Sequence, residues 1–119
     1  MWPTRLSRKQ EQGRQGEETA LAYLRRHGLV LIEANFRCKL GEIDLILRDG
    51  DTLVFVEVRQ RAAGAQVGAA ASIGPAKIRR IVRAAMCYLQ RFARMPPCRI
   101  DVVAIDGNHV EWLRNAIEV

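Results

Sequence analysis

Two carboxylates, Asp44 and Glu57, lie in neighbouring apolar segments where charged side chains are uncommon. Glu57 interrupts residues 53–58, whose β-branched and aromatic side chains predict a strand covered on both faces. An unpartnered charge in such a strand is costly. The pair therefore requires a compensating group, which is a proton, a basic side chain or a metal ion.

Strand register predicts that the two acids share a face, because opposed residues of an antiparallel pair project to the same side of a sheet. A four-residue loop over residues 49–52 puts Asp44 directly opposite Glu57. A two-residue loop of Asp49 and Gly50 puts Glu57 opposite Glu42 instead, with Asp44 on the diagonal. Either even loop also brings Arg59 onto that face, and only an odd loop or a bulge separates the acids.

The cluster of Asp44, Glu57 and Arg59 allows two interpretations. In the first, Arg59 neutralises the acids in an ion-pair network that holds the hairpin together. In the second, Asp44 and Glu57 bind Mg²⁺ or Mn²⁺, and water and phosphate oxygens complete the coordination shell. Such an ion polarises a phosphodiester and activates a water molecule as the nucleophile. The residues alone leave both interpretations open.

The first element that must position these acids is a helix, which hydrophobic periodicity predicts over residues 13–27. Extending its apolar stripe back by one turn directs Glu17, rather than Glu18, toward the sheet. The simpler interpretation of Glu17 is an acid favoured near a helix N-terminus by the macrodipole. Residues 1–12 are basic and lack hydrophobic periodicity, so they predict a flexible tail.

The remaining pattern predicts five strands and a second helix. On the second strand, Glu42, Asp44 and Ile46 alternate with Ile43, Leu45 and Leu47. The second helix is opened by Pro75 and marked by apolar residues as far as Phe92. Residues 61–74, rich in Gly and Ala, predict a flexible loop before it. The predicted strands cover residues 29–36, 41–47, 53–61, 99–105 and 109–113.

The order of these elements, αβββαββ, predicts one α/β domain over residues 13–119 with a central mixed sheet flanked by helices. No stretch is long and apolar enough to cross a membrane, and the start lacks the apolar core of an export signal, which predicts a cytoplasmic protein. The three cysteines are an odd set without zinc-ligand spacing, so they predict a reducing compartment and plain packing. They are Cys38, Cys87 and Cys98.

Charge is unevenly distributed along the chain. The net charge is +6, and residues 58–100 contain nine Lys or Arg and no acid, which favours nucleic acid as a partner over a merely solvated basic face. Basic residues crowd the N-terminal half of the second helix, where the macrodipole disfavours cations and a docked phosphate would relieve them. These residues are Lys77, Arg79, Arg80 and Arg83.

Four segments, GEETALAYL, GEIDLILRDGDTLVFVEV, AKIRRIVRAAMCYLQ and RIDVVAI, together resemble the YraN family of small bacterial proteins over residues 13–116. That family is similar in fold to the restriction endonucleases and Holliday-junction resolvases of the PD-(D/E)xK nuclease superfamily. The resemblance implies a restriction-endonuclease-like fold and Mg²⁺- or Mn²⁺-dependent hydrolysis of DNA, with branched or structured DNA as a substrate. The alternative is a catalytically inactive nucleic-acid-binding scaffold with a structural acid cluster.

Matched to the superfamily motif, the resemblance also implies roles for individual residues. Arg59 stands where the motif lysine is expected, and its guanidinium can orient water and stabilise the charge that develops on the scissile phosphate. It cannot act as a general base near neutral pH. Glu42 is a supporting acid, and a homodimer would suit cutting of two strands. The implied metal ligands are Asp44, Glu57 and the Val58 carbonyl, and the implied helix acid is Glu17.

Overall fold

The computed structural model describes residues 8–118, with side chains described from residue 13 onward. The described part follows the predicted order αβββαββ, and its mixed sheet with two flanking helices is consistent with a restriction-endonuclease-like fold. Within residues 8–118, no helix combines the length and apolar character that a bilayer crossing requires. The elements are α1 (Arg8–Arg26), β1 (Val30–Cys38), β2 (Gly41–Asp49), β3 (Thr52–Arg61), a 3₁₀ turn (Ala70–Ser72), α2 (Pro75–Leu89), β4 (Cys98–Asp106) and β5 (His109–Ile117).

The strands form one sheet in the order β1-β2-β3-β4-β5. β3 and β4 run parallel because α2 carries the chain back between them, and the other neighbouring strands are antiparallel. Asp49 pairs with Thr52, so the β2–β3 turn is made by Gly50 and Asp51. Gly50 has a φ of +59°, a left-handed conformation that suits glycine at a tight turn.

Each helix covers one face of the sheet. α1 packs Ala20 and Leu24 against Val54 and Val56 of β3, and α2 packs Tyr88 and its neighbours against the opposite face, where Leu53 and Phe55 project. Both faces of β3 are therefore buried, which is why its sequence is an almost continuous apolar run.

The helix boundaries differ from the predictions because helix ends depend on packing as well as on periodicity. α1 begins at Arg8, so residues 8–12, assigned to the tail, are helical, and residues 1–7 lie outside the described residues. α2 ends at Leu89, and Phe92 lies beyond it with its N–H donating to the Leu89 carbonyl.

The segment before α2 contains structure that its composition did not indicate. A 3₁₀ turn forms at Ala70–Ser72, and Ala69 beside it is fully buried. The Ala69 N–H donates to Asp106 Oδ1 at 2.8 Å, which anchors the segment to the end of β4. A backbone hydrogen bond from Gly107 to Arg61, at 2.9 Å, fixes the start of the same segment.

Candidate metal and nucleic-acid site

β2 and β3 separate at the position where the two predicted acids lie. Their pairing ends with Leu45 opposite Val56, while β3 continues for five more residues alongside β4. One step beyond that last pair, Asp44 lies opposite Glu57, in the register that the four-residue-loop prediction required. The acids therefore meet at a fork between two strands of the sheet.

The Asp44 side chain replaces the backbone partner that β3 loses at this fork. Its Oδ2 accepts a hydrogen bond from the Val58 N–H at 2.8 Å. The N–H and carbonyl of a strand residue project to the same side, so the Val58 carbonyl also faces the fork. Oxygen atoms of Asp44, Glu57 and Val58 are thus gathered in one place.

Glu57 is buried without a complete set of partners. Glu57 is 2% exposed, and its Oε1 accepts no hydrogen bond from the described residues. It shares a hydrogen bond with Asp44, and Lys77 Nζ lies 3.9 Å from Oε2. Burial, followed by the negative charge of Asp44, raises the pKa of Glu57 to about 8, against the opposing charges of Lys77 and Arg59. Glu57 therefore holds a proton at neutral pH.

The electrostatics of Asp44 follow the same pattern. Burial raises the pKa of Asp44, and the hydrogen bonds from the Val58 N–H and from Glu57 offset this only in part. Because the two carboxyl groups are in contact, the proton on Glu57 serves both of them.

Glu17 approaches Asp44 from α1, and Glu18 beside it is exposed and bonded to Arg14. Burial and then the charge of Asp44 raise the pKa of Glu17 to about 7, although a hydrogen bond from Asn35 acts in the opposite direction. The Oε1 atom of Glu17 has no hydrogen-bond partner among the described residues. Glu17 is thus a third acid with a perturbed pKa beside the fork.

The prediction that successive side chains of β2 project strictly to opposite faces of the sheet was wrong at Ile43. Leu45 packs in the core cluster under α1, but Ile43 packs in the cluster under α2 together with Ile46. Across from Asp44 in the β1–β2 pairing, Asn35 has a left-handed φ of +57°, which marks where the two strands roll over. This roll lets Asp44 meet Glu17 on one side and Glu57 on the other, and no periodicity in the sequence signals it.

Arg59 lies two residues beyond Glu57 on the same face of β3. Its Nη2 donates to the Ser72 carbonyl at 3.3 Å, and its buried Nε has no hydrogen-bond partner in the described part of the chain. The segment before α2 therefore covers the guanidinium, and the predicted contact between Arg59 and a phosphate stays a prediction.

Lys77 lies among the acids, although the sequence grouped it with the basic residues for nucleic acid. Its Nζ is 3.5 Å from Glu42 Oε1 and 3.9 Å from Glu57 Oε2. A lysine ammonium from α2 thus stands near the carboxylates. Sequence spacing could not indicate this, because twenty residues separate Glu57 from Lys77.

A glycine brings β2 close enough to α2 for these contacts. A Cβ atom at Gly41 would lie 2.2 Å from the Arg80 carbonyl oxygen, so only glycine fits there. The next residue, Glu42, then reaches Lys77 and also Arg80 Nη2 and Arg37 Nε, each at 3.9 Å. Glu42 acts as a support that holds Lys77 in the cluster.

An open groove of about 400 Å³ leads along α1 and β3 to the fork. Glu17, Val58, Arg59 and Arg61 line it, together with Gly13 and Gly16. A Cβ atom at Gly16 would lie 2.7 Å from Gln60 Oε1, so the glycine lets α1 approach β3 closely. The groove gives an extended ligand access to the acids from the α1 side.

The first turns of α2 present a basic surface beside the acid cluster. Arg79, Arg80 and Arg83 are exposed. Gly74, the N-cap residue, supplies no side-chain hydrogen bond, and the first turn contains no acid. The positive end of the helix dipole and these side chains therefore act in the same direction on an anion.

Residues 16–105 match the model of Uncharacterised protein family UPF0102. The UPF0102 protein of Herminiimonas arsenicoxydans is 56% identical, over 98% of this chain and 97% of its own length. The chain belongs to the UPF0102 family. This confirms the YraN-like assignment that the sequence resemblance suggested.

Two further relatives of this UPF0102 chain have similar levels of identity. The UPF0102 protein of Janthinobacterium sp. (strain Marseille) is 57% identical, over 92% of this chain and 89% of the relative. That of Cupriavidus metallidurans is 59% identical, over 91% of this chain and 81% of the relative.

The fork of this UPF0102 protein has the donors that a hard divalent cation uses. Within the described residues, no three His, Cys, Asp or Glu side chains gather closely enough to enclose a metal ion by themselves. Mg²⁺, however, commonly binds one or two carboxylates and fills its other positions with water and phosphate oxygens. At this fork, the Glu57 Oε1 atom is unpartnered among the described residues and the pKa of Glu57 is raised, so the pair of carboxyl groups is incompletely compensated.

Proposed function

We propose that this UPF0102 protein is a metal-dependent endonuclease-like protein that hydrolyses phosphodiester bonds in DNA. The observation that carries the proposal is the convergence of Asp44 and Glu57 at the fork, where Glu57 keeps an unpartnered oxygen. Buried acids with raised pKa values in a cleft are a physical signature of functional sites. The adjoining basic surface on α2 supports a polyanionic substrate.

In this proposal, Asp44, Glu57 and the Val58 carbonyl hold Mg²⁺ or Mn²⁺. The chemistry that such an ion supplies when bound is polarisation of the phosphodiester and activation of water. The two carboxyl groups must release their shared proton for the ion to bind, so binding strengthens as the pH rises toward 8.

The acid and base work is assigned to residues around the fork. Glu17 accepts a proton from the attacking water, because its pKa of about 7 leaves much of it ionised at neutral pH and it lines the groove. Lys77 stabilises the negative charge that develops on the phosphate. Arg59 stays under the Ser72 carbonyl and supplies positive charge beside Glu57.

Substrate positioning is assigned to Arg79, Arg80 and Arg83, which contact the phosphate backbone. Branched or structured DNA is the substrate that the resemblance to resolvases favours. The homodimer and the cytoplasmic location stay predictions, and light scattering of the purified protein checks the first of them.

A DNA-binding scaffold without turnover is the second candidate function. It is favoured by the position of Lys77, whose Nζ lies 3.5 Å from Glu42 Oε1 and 3.9 Å from Glu57 Oε2 and already provides part of the charge compensation that the acids need. In that case Asp44 and Glu57 are structural, and the basic surface on α2 carries the function.

Cleavage of labelled duplex, flap and four-way DNA with Mg²⁺ or Mn²⁺ separates the two candidates. We expect cleavage by the native protein, and loss of cleavage but retention of DNA binding in Asp44→Asn and Glu57→Gln. Glu111→Gln, an exposed acid on β5, is the matched control and should cleave normally. Binding with a steep salt dependence and no cleavage with either ion would favour the scaffold.

A further inference from the structure

Three aromatic side chains from distant parts of the chain form one cluster on the face of the sheet that α1 covers. Tyr23 lies near the C-terminal end of α1, His27 directly follows that helix, and Trp112 is on β5. The ring centroids of Tyr23 and His27 are 4.5 Å apart, and each ring meets Trp112 edge to face, at 6.4 Å and 5.5 Å. Tyr23 and Trp112 are half-buried and His27 is exposed, so this aromatic cluster packs against the core and also faces solvent.

Two of these rings are held in place by hydrogen bonds. Trp112 Nε1 donates to Oδ2 of the buried Asp101 at 2.9 Å. His27 Nδ1 donates to the Tyr23 carbonyl at 2.8 Å, because a carbonyl oxygen can only accept. Rings that are already fixed in one orientation lose little conformational entropy when a flat ligand stacks on them.

Two arginines add positive charge to the aromatic cluster. Arg114 Cζ lies 4.0 Å from the centroid of the Trp112 ring, and Arg26 Cζ lies 5.8 Å from that of the Tyr23 ring. Both arginines are exposed, and neither has an ion-pair partner among the described residues. A planar guanidinium stacks on flat rings and also pairs with phosphate. Ring faces beside uncompensated basic charge are the combination with which proteins bind single-stranded nucleic acid.

The aromatic cluster lies on the same side of α1 as the groove that leads to the acids. Gly16 lines that groove, and Tyr23 and His27 follow it after seven and eleven residues, about two and three helical turns along one side of the helix. Across the sheet, Trp112 and Val58 lie in one row of paired residues, two strands or roughly 10 Å apart. An extended chain that lies along this side of α1 can therefore contact both the cluster and the groove.

We propose that the aromatic cluster, with Arg26 and Arg114, is a stacking site for the bases of an unpaired DNA strand. The bases stack on the exposed ring faces and on the two guanidiniums, whose charges neutralise the phosphates between the bases. An acidic peptide would match the charge, but it has no regular series of flat rings to place on the cluster. α2 covers the opposite face of the sheet, so this site is separate from the basic surface on α2. Base stacking requires neither a metal ion nor cleavage, so the inference goes beyond the proposed hydrolysis and does not depend on it.

The fluorescence of Trp112 tests the proposal directly. The chain contains two tryptophans, Trp2 and Trp112, so a Trp2→Phe protein reports on Trp112 by itself. A single-stranded DNA of mixed sequence, about 12 nucleotides long, is titrated in the presence of a chelator, which prevents metal-dependent cleavage. A strand of the same length without bases carries the same phosphate charge and is the matched control. We expect the complete strand to quench Trp112 and to bind about tenfold more tightly than the abasic strand.

Substitutions within the cluster should weaken binding of the complete strand. The two variants are His27→Ala, an exposed change, and Tyr23→Leu, which keeps an apolar side chain at a half-buried position. We expect each to raise the Kd for the complete strand about tenfold and to leave the Kd for the abasic strand unchanged. Phe92→Leu is the matched control, because it removes an exposed ring that packs beside Tyr88 of α2, and it should change neither Kd.

The proposal is overturned if the complete and the abasic strands bind equally or not at all, or if the fluorescence of Trp112 does not change. Equal quenching by a duplex of the same sequence would assign the cluster to paired DNA and would overturn it as well. The comparison of the two strands uses a protein with an unsubstituted cluster, so it decides the matter even where a cluster variant folds poorly.

Discussion

Two buried carboxylates on neighbouring strands are stabilised in opposite ways. Asp101 on β4 is fully buried and accepts hydrogen bonds from Arg99 Nε at 3.0 Å, from Trp112 Nε1 at 2.9 Å and from the Asn115 N–H at 2.8 Å. Glu57 on β3 is buried almost as deeply, but its Oε1 has no hydrogen-bond partner in the described residues. Burial alone therefore does not show whether a carboxylate has a complete set of hydrogen-bond partners.

The difference lies in what each carboxylate is bonded to. The β4–β5 pairing shifts register between Ile100 and Val102. Asp101 therefore accepts hydrogen bonds from N–H groups that have no partner in the irregular strand pairing. Its partner Arg99 also reaches Asp49 at 2.9 Å and so links β4 to the end of β2. Glu57 instead has a raised pKa and an unpartnered oxygen, which is the kind of perturbed, buried acid on which the proposed function rests.

Replacing Asp101 should have the largest effect on stability. Asp101→Asn leaves the Arg99 guanidinium with less compensating charge and places an amide against its donors. We expect a loss of about 4 kcal/mol in the free energy of unfolding. Urea unfolding at neutral pH measures this loss, with Glu111→Gln as a surface control that should change little. A loss below about 1 kcal/mol would remove Asp101 from the structural side of the comparison.

Glu57→Gln should change stability in a way that depends on pH. The folded-state pKa of about 8 lies above the ordinary value of 4.5, so the folded protein binds the extra proton between those values. The stabilisation is complete below pH 4.5 and is lost as the pH rises to about 8. Glutamine has no proton to lose, so between about pH 5 and pH 9 the variant should gain roughly 4 kcal/mol in unfolding free energy relative to the native protein.

Urea unfolding in the presence of a chelator measures this gain. A constant difference between Glu57→Gln and the native protein at all pH values would show that Glu57 does not titrate in this range. Glu57 would then belong with Asp101 as an acid whose bonding is complete.

Divalent cations should stabilise the native protein through the fork. If Mn²⁺ binds with a Kd about tenfold below its concentration, the gain is about 1.4 kcal/mol, or a rise in Tm of roughly 4 °C. Asp44→Asn should abolish the rise at about pH 8, and Glu111→Gln should preserve it. Thermal unfolding measures the Tm of each protein. An equal rise in the Tm of Asp44→Asn would place any bound ion elsewhere.

The smallest expected effect concerns Lys77. Its ammonium lies 3.9 Å from Glu57 and favours the ionised carboxylate. Between about pH 5 and pH 9, the free energy of unfolding should therefore fall by about 0.5 kcal/mol more in Lys77→Met than in the native protein. Arg83→Met, an exposed change on the same helix, is the control, and equal slopes in both variants would separate Lys77 from the titration of Glu57.

Much of this architecture follows from the sequence by itself. The five strands, the two helices and the pairing of Asp44 with Glu57 were predicted, because side-chain periods of 2.0 and 3.6 and the length of a turn are properties of short segments. The charge segregation that suggests a nucleic-acid partner is likewise a property of the chain.

Only the tertiary structure decided how separate segments meet. The roll of β2 at Asp44, the placement of Lys77 among the acids and the bonding of Asp101 all depend on contacts between elements that are distant in sequence. Such contacts depend on how each helix is rotated and positioned against the sheet, which packing of the whole core determines. Local periodicity carries no information about that rotation, so two equally buried acids can have the same sequence environment and different chemistry.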